Sequence, residues 1–252
     1  MRLLLEIARC PNVVRFYEQG SVPNPCSEII SCQEKESVHD HQVPEPWSGR
    51  LATAPILFLS SNPSISQQEE YPRPGWSDHL MEDFFNNRFG GGIKPWVVDS
   101  RHLCKGGERS ERKTRFWVEV QSRASELLGK RATPGLDYAI SEIVHCKSKR
   151  QRGVTECLDE CSCRYLDRLL GDSGARVVVI LGAHAEGVIR DRFCLNHRDR
   201  VVGPLQVGAS SKYLTFLPHP NARKKRRFVS NLTSEEISLL RGVLGICDAT
   251  RL

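Results

Sequence analysis

Apolar runs and helical spacing alternate along the chain, which predicts strands and helices in turn. Short continuous apolar runs are typical of strands that are buried on both faces of a parallel sheet. Strand-like segments lie at residues 55–59, 137–144, 176–181 and 213–217. Helical spacing of apolar residues is found at 3–16, 78–88, 111–128, 155–170, 183–190 and 234–244. This alternation predicts an α/β fold around a mostly parallel sheet of about four strands.

Residues 18–54 interrupt this pattern with a polar stretch that is rich in Pro, Ser and His. A connection of this length without regular elements is uncommon inside a compact domain. We therefore expect a segment that wraps the surface of a single domain spanning residues 1–252. Elsewhere, Thr155 and either Thr233 or Ser234 are the expected N-caps of two helices.

Composition narrows the class of protein. The chain has 252 residues, a hydrophobic content of 39% and a net charge of +6, which excludes a disordered chain. No apolar run approaches the roughly 18–20 residues of a membrane helix, and Glu6 interrupts the apolar start, so a signal peptide is not expected. We expect a soluble, cytoplasmic protein. In a reducing compartment its ten cysteines are core residues or metal ligands rather than disulfides.

Basic residues are concentrated in two loops that follow predicted strands. They are solvated loops on one interpretation and a phosphate-binding rim on the other. The residues we assign to such a rim are Lys147, Lys149, Arg150, Arg223, Lys224, Lys225 and Arg226.

Two polar residues follow buried strands in contexts that are unusual for a loop. Asn62 precedes Pro63, and His219 stands between two prolines. Alone, each is consistent with a structural turn or a structural hydrogen bond. Because ligands bind beyond the carboxyl ends of parallel strands, we expect the two side chains to share one functional edge. The chain has no phosphate-binding glycine loop and no nucleophile elbow, which disfavours nucleotide-dependent enzymes and serine hydrolases.

Four segments together resemble the uracil-DNA glycosylase superfamily, in particular its bacterial iron–sulfur branch. They are residues 56–64 (ILFLSSNPS), 143–147 (IVHCK), 177–185 (VVVILGAHA) and 216–222 (FLPHPNA). The resemblance implies a three-layer α/β/α fold. It also implies a monofunctional DNA glycosylase that acts, as a monomer, on a nucleotide flipped out of the DNA, with the basic rim as its DNA-binding surface.

The resemblance assigns roles to the two strand-end residues. His219 fits the donor that stabilises negative charge at O2 of the departing base, and Asn62 fits the residue that positions the attacking water. The Asn-Pro form is similar to the mismatch-specific and single-strand-selective branches. The iron–sulfur branch usually has an acidic residue in this loop, so we expect weaker activation of water here.

Glu142 departs from the iron–sulfur branch, which usually has an asparagine four residues before the cysteine at position 146. An ionised carboxylate only accepts hydrogen bonds, so it repels uracil O4 and suits the exocyclic amine of cytosine. This predicts a modified cytosine as the substrate, such as glucosylated hydroxymethylcytosine in phage DNA, as in the phage-defence glycosylases of the superfamily. The alternative for Glu142 is a peripheral ion pair or cap. Ser61 and Phe85 are the other expected base contacts, with Phe84 and Phe89 as alternatives for stacking.

The iron–sulfur branch also implies a metal site. Cys10, Cys146 and Cys161 match three of the cluster ligands, whereas Ile7 occupies the position of another. Cys26, Cys32 or Cys163 is the expected fourth ligand of a [4Fe–4S] cluster. The alternative is zinc, with His39 or His41. Neither group is needed for the chemistry, and Cys104, Cys194 and Cys247 are expected in the core.

Other functions remain open from the sequence. A uracil or mismatch repair glycosylase would use the same site. A catalytically silent relative would bind a DNA lesion without excising a base, and the missing acidic residue favours it. An α/β protein with only a redox or metal role would not bind DNA.

Overall fold

The central sheet of the computed structural model is mostly parallel and has helices on both faces. The structure describes residues 2–19, 23–222 and 227–246. In this part of the chain the sheet has five strands, in the order β4-β1-β5-β7-β6. They are β1 (Ile56–Ser60), β4 (Tyr138–Glu142), β5 (Val177–Leu181), β6 (Val201–Val207) and β7 (Ser210–Leu217). A separate hairpin pairs β2 (Val97–Val98) with β3 (Arg101–His102). The predicted α/β class with a mostly parallel sheet is confirmed.

The apolar pattern did not predict the short hairpin or β6, which pairs antiparallel with β7 at the edge of the sheet. This strand contains Gly203 and Pro204, and most of its residues are exposed or half-buried. Proline cannot donate to a strand ladder and is confined to edge strands and bulges. An edge strand of this kind has no continuous apolar run, so the expected count of four strands was one too low.

Most helices lie in predicted segments, but the helix at Ser27–Ser31 was not predicted, and the segment 155–170 contains two helices rather than one. The helices are α1 (Arg2–Ala8), α2 (Pro11–Gln19), α3 (Ser27–Ser31), α4 (Asp78–Asn86), α5 (Arg115–Leu128), α6 (Val154–Cys161), α7 (Asp167–Asp172), α8 (Ala183–Arg192) and α9 (Ser234–Leu244). The predicted helix 3–16 is two helices, because Pro11 disfavours helical backbone at the residue before it. The helix predicted from Thr155 begins one residue earlier, after Gly153. Thr233 caps α9 in a capping box. No helix in the described ranges is long and apolar enough to cross a membrane.

Buried side chains form one apolar layer on each face of the sheet. Along β1, Leu57 and Leu59 point into one layer, and Ile56 and Phe58 into the other. The first layer includes residues of α1–α4 and α6–α8, and the second includes residues of α5 and α9. The continuous apolar runs of the strands are explained by this two-sided burial.

Residues 41–49 are buried, although the sequence predicted that the segment 18–54 wraps the surface. Ser48 and Ile140 exchange main-chain hydrogen bonds of 2.7 and 3.0 Å, and Glu45 N donates to His145 O at 2.8 Å. The segment therefore covers the outer edge of β4, whose backbone groups would otherwise lack partners. The expectation of a surface position is wrong for these residues.

Candidate active site

Four predicted site residues line one cavity of about 160 Å³ at the carboxyl edge of the sheet. Asn62 follows β1, Glu142 ends β4, Lys147 lies in the loop after β4, and His219 follows β7. The parallel strands β1, β4, β5 and β7 all end at this edge. The convergence of residues that are distant in sequence follows from this topology.

Asn62 is half-buried and its amide has a defined orientation. Its Nδ2 donates to Pro63 O at 3.1 Å, and its Oδ1 accepts from Ser61 Oγ at 3.1 Å. A carbonyl oxygen has two lone pairs, so Oδ1 can accept one further hydrogen bond. Ser61, a predicted base contact, is buried and does not line the cavity. These two hydrogen bonds stabilise the turn at Asn62 and Pro63, and Oδ1 can also orient a water molecule.

His219 is held as a neutral hydrogen-bond donor. Burial and the nearby charge of Arg123 both lower its pKa. Its Nδ1 accepts a hydrogen bond of 3.2 Å from the backbone N–H of Asn221. A neutral imidazole that accepts at Nδ1 has its proton on Nε2, so Nε2–H is the donor. The Phe116 ring lies 5.8 Å from the imidazole at an angle of 36°.

Gly182 makes room for His219 at the end of β5. Its backbone has φ +89° and ψ +167°, a region that is essentially restricted to glycine. A Cβ atom added there would lie 3.1 Å from His219 Cβ. The turn from β5 into α8 can therefore pass close to the imidazole only without a side chain at this position.

Glu142 is 5% exposed, and in the described residues its only hydrogen-bond partner is the hydroxyl of Ser60. Burial raises its pKa to about 8, an effect that the Ser60 hydrogen bond opposes and the charge of Glu45 increases. The carboxyl group is therefore mostly neutral near pH 7 and offers one donor and one acceptor. The prediction from sequence assumed an ionised group, and this assumption is wrong.

Lys147 belongs to a buried charge cluster in the cavity wall and not to an exposed basic rim. The cluster consists of Glu45, Glu69, Arg88 and Lys147, each less than 9% exposed. Arg88 Nη1 is 2.7 Å from Glu45 Oε1, and its Nη2 donates to Glu69. Lys147 Nζ is 3.6 Å from Glu69 Oε2 and 3.4 Å from the centre of the Tyr71 ring.

The charges of the cluster compensate one another. Burial alone would raise the pKa of Glu45, but the charges of Arg88 and Lys147 lower it to about 2. Burial lowers the pKa of Lys147, against the charge of Glu69. Two carboxylates and two cations thus form an electroneutral group. The assignment of Lys147 to DNA phosphates is wrong because its ammonium is enclosed.

The remaining predicted DNA contacts are not tested by the geometry. Lys149 and Arg150 are exposed in the turn that follows Lys147. Lys149 Nζ lies 4.0 Å from a carboxylate oxygen of Glu34. The other predicted contacts lie outside the described residues; they are Arg223, Lys224, Lys225 and Arg226.

Phe85 is not available for stacking on a base. It is fully buried and packs edge-on against Tyr71 and Phe84 in the core. Phe116 and Trp117, from the start of α5, line the cavity instead. Helical spacing of apolar residues cannot distinguish an aromatic residue in a cavity wall from one in the core. The lining residues that were not predicted include three charged side chains, Glu45, Glu69 and Arg88, and the imidazole of His102.

Five buried thiols interact in a separate cluster. They are Cys10, Cys26, Cys146, Cys157 and Cys161. Burial raises the pKa of Cys146 well above its usual value, and Cys10, Cys161 and Cys26 raise it further. Cys157, which the sequence analysis did not single out, shares a thiol hydrogen bond with Cys26.

This thiol cluster bears on the predicted metal ligands. It joins the three predicted ligands with Cys26, whereas Cys163 is exposed and Cys32 Sγ faces Arg152 O at 3.7 Å. A [4Fe–4S] cluster takes four thiolates, and these buried cysteines fit that donor set. Among the expected core cysteines, Cys104 is buried, Cys194 is exposed, and Cys247 lies outside the described residues.

The zinc alternative has less support. Within the described ranges, no group of three or more His, Cys, Asp or Glu side chains is arranged to hold a metal ion, and this applies to the thiol cluster and to the histidines alike. Both ring nitrogens of His41 have hydrogen-bond partners, at 3.0 Å from Tyr17 and 2.9 Å from Gln33. His39 is exposed.

No protein-family model and no curated protein matches the chain. The resemblance stated above therefore depends on its four short segments. The cavity itself offers a neutral imidazole donor, an oriented amide and a neutral carboxyl group. This set can hold a polar planar ring and stabilise negative charge on it.

Proposed function

We propose that the protein is a monofunctional DNA glycosylase that excises a modified pyrimidine, with a modified cytosine such as glucosylated hydroxymethylcytosine as the first candidate. The main support is the convergence of Asn62 and His219 on one cavity, at the carboxyl ends of β1 and β7. Glu142 lines the same cavity at the end of β4. Excision would leave abasic sites in DNA, which would serve defence against phages.

In the proposed reaction the bond between C1′ and N1 of the flipped nucleotide breaks, and its electron pair leaves with the base. His219 Nε2–H donates to O2, where negative charge develops. Asn62 Oδ1 orients a water molecule that adds to C1′, and the proton of this water passes to solvent. A preorganised donor of this kind contributes about 3–4 kcal/mol to the lowering of the barrier.

A neutral Glu142 widens the range of bases that the pocket can hold. Its carboxyl group can accept from the exocyclic amine of a cytosine and donate to N3. It can equally donate to O4 of a uracil and accept from N3–H. Ionisation of Glu142 removes the donor in both cases and leaves one hydrogen bond with either base, so its charge alone does not discriminate between them.

Excision of uracil is expected to depend on the protonation of Glu142. Above about pH 8 the carboxyl group loses its proton and its donor. The rate on uracil, and equally on a cytosine-type base, should fall about tenfold, the cost of one hydrogen bond. Glu142→Gln keeps a donor and an acceptor at every pH and should abolish this fall. Single-turnover rates from about pH 6 to about pH 10 provide the measurement.

The same group links stability to pH. Because its folded pKa is above its unfolded value of 4.5, its contribution is complete below that value and is lost as the pH rises through about 8. The decline of the unfolding free energy over this range should be smaller in Glu142→Gln. If Glu142→Gln and the unaltered protein have identical pH profiles of excision rate and of unfolding free energy, Glu142 does not have the proposed role.

The function is tested with oligonucleotides that differ at one position. The target is cytosine, uracil, a mismatched base, 5-hydroxymethylcytosine or its glucosylated form, and alkali then converts abasic sites to strand breaks. We expect breaks at modified cytosine and none at cytosine. Absence of breaks with all targets would exclude a glycosylase.

A second candidate function is the binding of a DNA lesion without excision. Position 62 supports it, because this residue is an asparagine and no carboxylate is present there to activate water. In the same assay such a protein would give salt-sensitive binding without strand breaks. Breaks at uracil or mismatches alone would instead indicate a repair enzyme.

We also propose that Cys10, Cys26, Cys146 and Cys161 hold a [4Fe–4S] cluster, with Cys157 beside Cys26. The cluster would cross-link four segments of the chain and take no part in hydrolysis. Cys146→Ser is expected to lose most of the bound iron, measured by iron content and visible absorbance after anaerobic purification. Cys194→Ser, which changes an exposed thiol, should retain it. Equal iron in both variants would contradict the assignment.

A further inference from the structure

A wider groove adjoins the candidate active site at His102. The cavity of about 160 Å³ and a groove of about 720 Å³ share this side chain. His102 Nε2 lies 3.5 Å from Ser66 Oγ, and the His102 ring lies 6.4 Å from that of Trp117. Ser66 belongs to the loop that follows Asn62, so this loop connects the candidate active site to the groove.

Hydrogen-bonded backbone forms the walls of the groove. One wall is Gln67 and Gln68, and the other is the loop 104–112 after β3. Lys105 N donates to Gln68 O at 3.0 Å, and Cys104 N donates to Glu108 O at 2.8 Å. These bonds define the shape of the groove without any ligand.

The side chains of the groove are polar and mixed in charge. The amides of Gln67 and Gln68 are exposed and make no side-chain hydrogen bond to the described residues. Three cationic residues, Lys105, Arg109 and Arg112, line it with two acidic residues, Glu108 and Glu111. Arg109 is engaged in hydrogen bonds to main-chain carbonyl groups outside the groove, those of Pro95 and Trp96. Phosphate-binding surfaces are predominantly basic, so this mixture does not favour a DNA backbone. Free amides offer both donors and acceptors, which suits hydroxyl groups.

We propose that this groove is a subsite for an uncharged, hydroxyl-rich substituent, such as a hexose, on the flipped base. The inference rests on the proposed function, because it places the base in the cavity beside Glu142 and His219. A substituent on the edge of the base that faces His102 would extend out of the cavity, past the His102 side chain, and into the groove. Gln67 and Gln68 would then bind the substituent and select a sugar-bearing base over the same base without the sugar.

The test compares the double variant Gln67→Ala/Gln68→Ala with Gln206→Ala, which removes an exposed glutamine from β6 at the far edge of the sheet. Two oligonucleotides carry either 5-hydroxymethylcytosine or its glucosylated form at one position. Binding is measured by fluorescence anisotropy in a His219→Ala background, which prevents turnover. We expect tighter binding of the glucosylated oligonucleotide by about tenfold or more, and loss of this preference only in the double variant.

The result separates the subsite from the enzymatic activity. No preference for the glucosylated oligonucleotide, or a preference that survives in the double variant, overturns the subsite even if excision occurs. A preference that depends on the two glutamines, with no excision by the otherwise unaltered protein, supports the subsite and rejects the glycosylase.

Discussion

Replacing His219 with alanine is expected to lower the single-turnover excision rate by about 10²–10³-fold, which corresponds to about 3–4 kcal/mol. The variant removes the Nε2–H donor while the base still enters the cavity. Because the imidazole is already neutral in the folded protein, it needs no proton transfer before it acts. The loss should therefore appear in the rate constant and much less in the affinity for DNA.

The control for this prediction is His197→Ala, which removes an exposed histidine outside the cavity. Both variants should unfold at similar urea concentrations, since His219 is only half-buried. A His219→Ala protein that retains more than about a third of the rate would exclude His219 as the charge-stabilising donor.

Replacing Arg88 with alanine is expected to lower the free energy of unfolding by about 3–5 kcal/mol. The guanidinium lies between Glu45 and Glu69, and all three side chains are less than 10% exposed. Its removal leaves two carboxylates buried with only the ammonium of Lys147 nearby. Arg88 also packs against the rings of Tyr71, Phe84 and Trp117, so the variant loses these contacts as well.

Urea denaturation of Arg88→Ala and Arg73→Ala provides the measurement. Arg73 also pairs with a carboxylate, that of Asp40, but both side chains are exposed, and such pairs contribute about 0–1 kcal/mol. If the two variants lose similar stability, the cluster does not hold the cavity wall together. The buried ion pair between Arg88 and Glu45 would then contribute no more to the free energy of unfolding than an exposed pair does.

The parallel strands and the residues at their ends could be predicted because both depend on local patterns. Apolar runs identified four of the five strands, and the position just after a strand placed Asn62 and His219 at the same edge. Glu142 followed from its position at the end of a strand. Its protonation state could not be predicted, because it depends on burial and on the neighbouring Ser60 and Glu45.

The charged wall of the cavity was not predictable, because a buried ion pair has no periodic pattern. Glu45, Glu69, Arg88 and Lys147 come from four segments that pack together only in the folded chain. Lys147 also stands in a run of basic residues, which normally indicates a solvated loop. Glu45 could not be predicted for a similar reason. It lies in the long polar segment 18–54, and a buried segment without helices or strands has the same sequence character as an exposed loop.

Residues 41–49 have two roles, because they pair with the outer edge of β4 and supply Glu45 to the cavity. A shortened chain that began after this segment would have an open strand edge and, at the same time, a charge cluster with two cations and only one carboxylate, that of Glu69. Open strand edges pair with other chains, so such a fragment would be prone to aggregation. Solubility and the integrity of the pocket are thus coupled in this fold, and proteolytic trimming of the first fifty residues or so would abolish both.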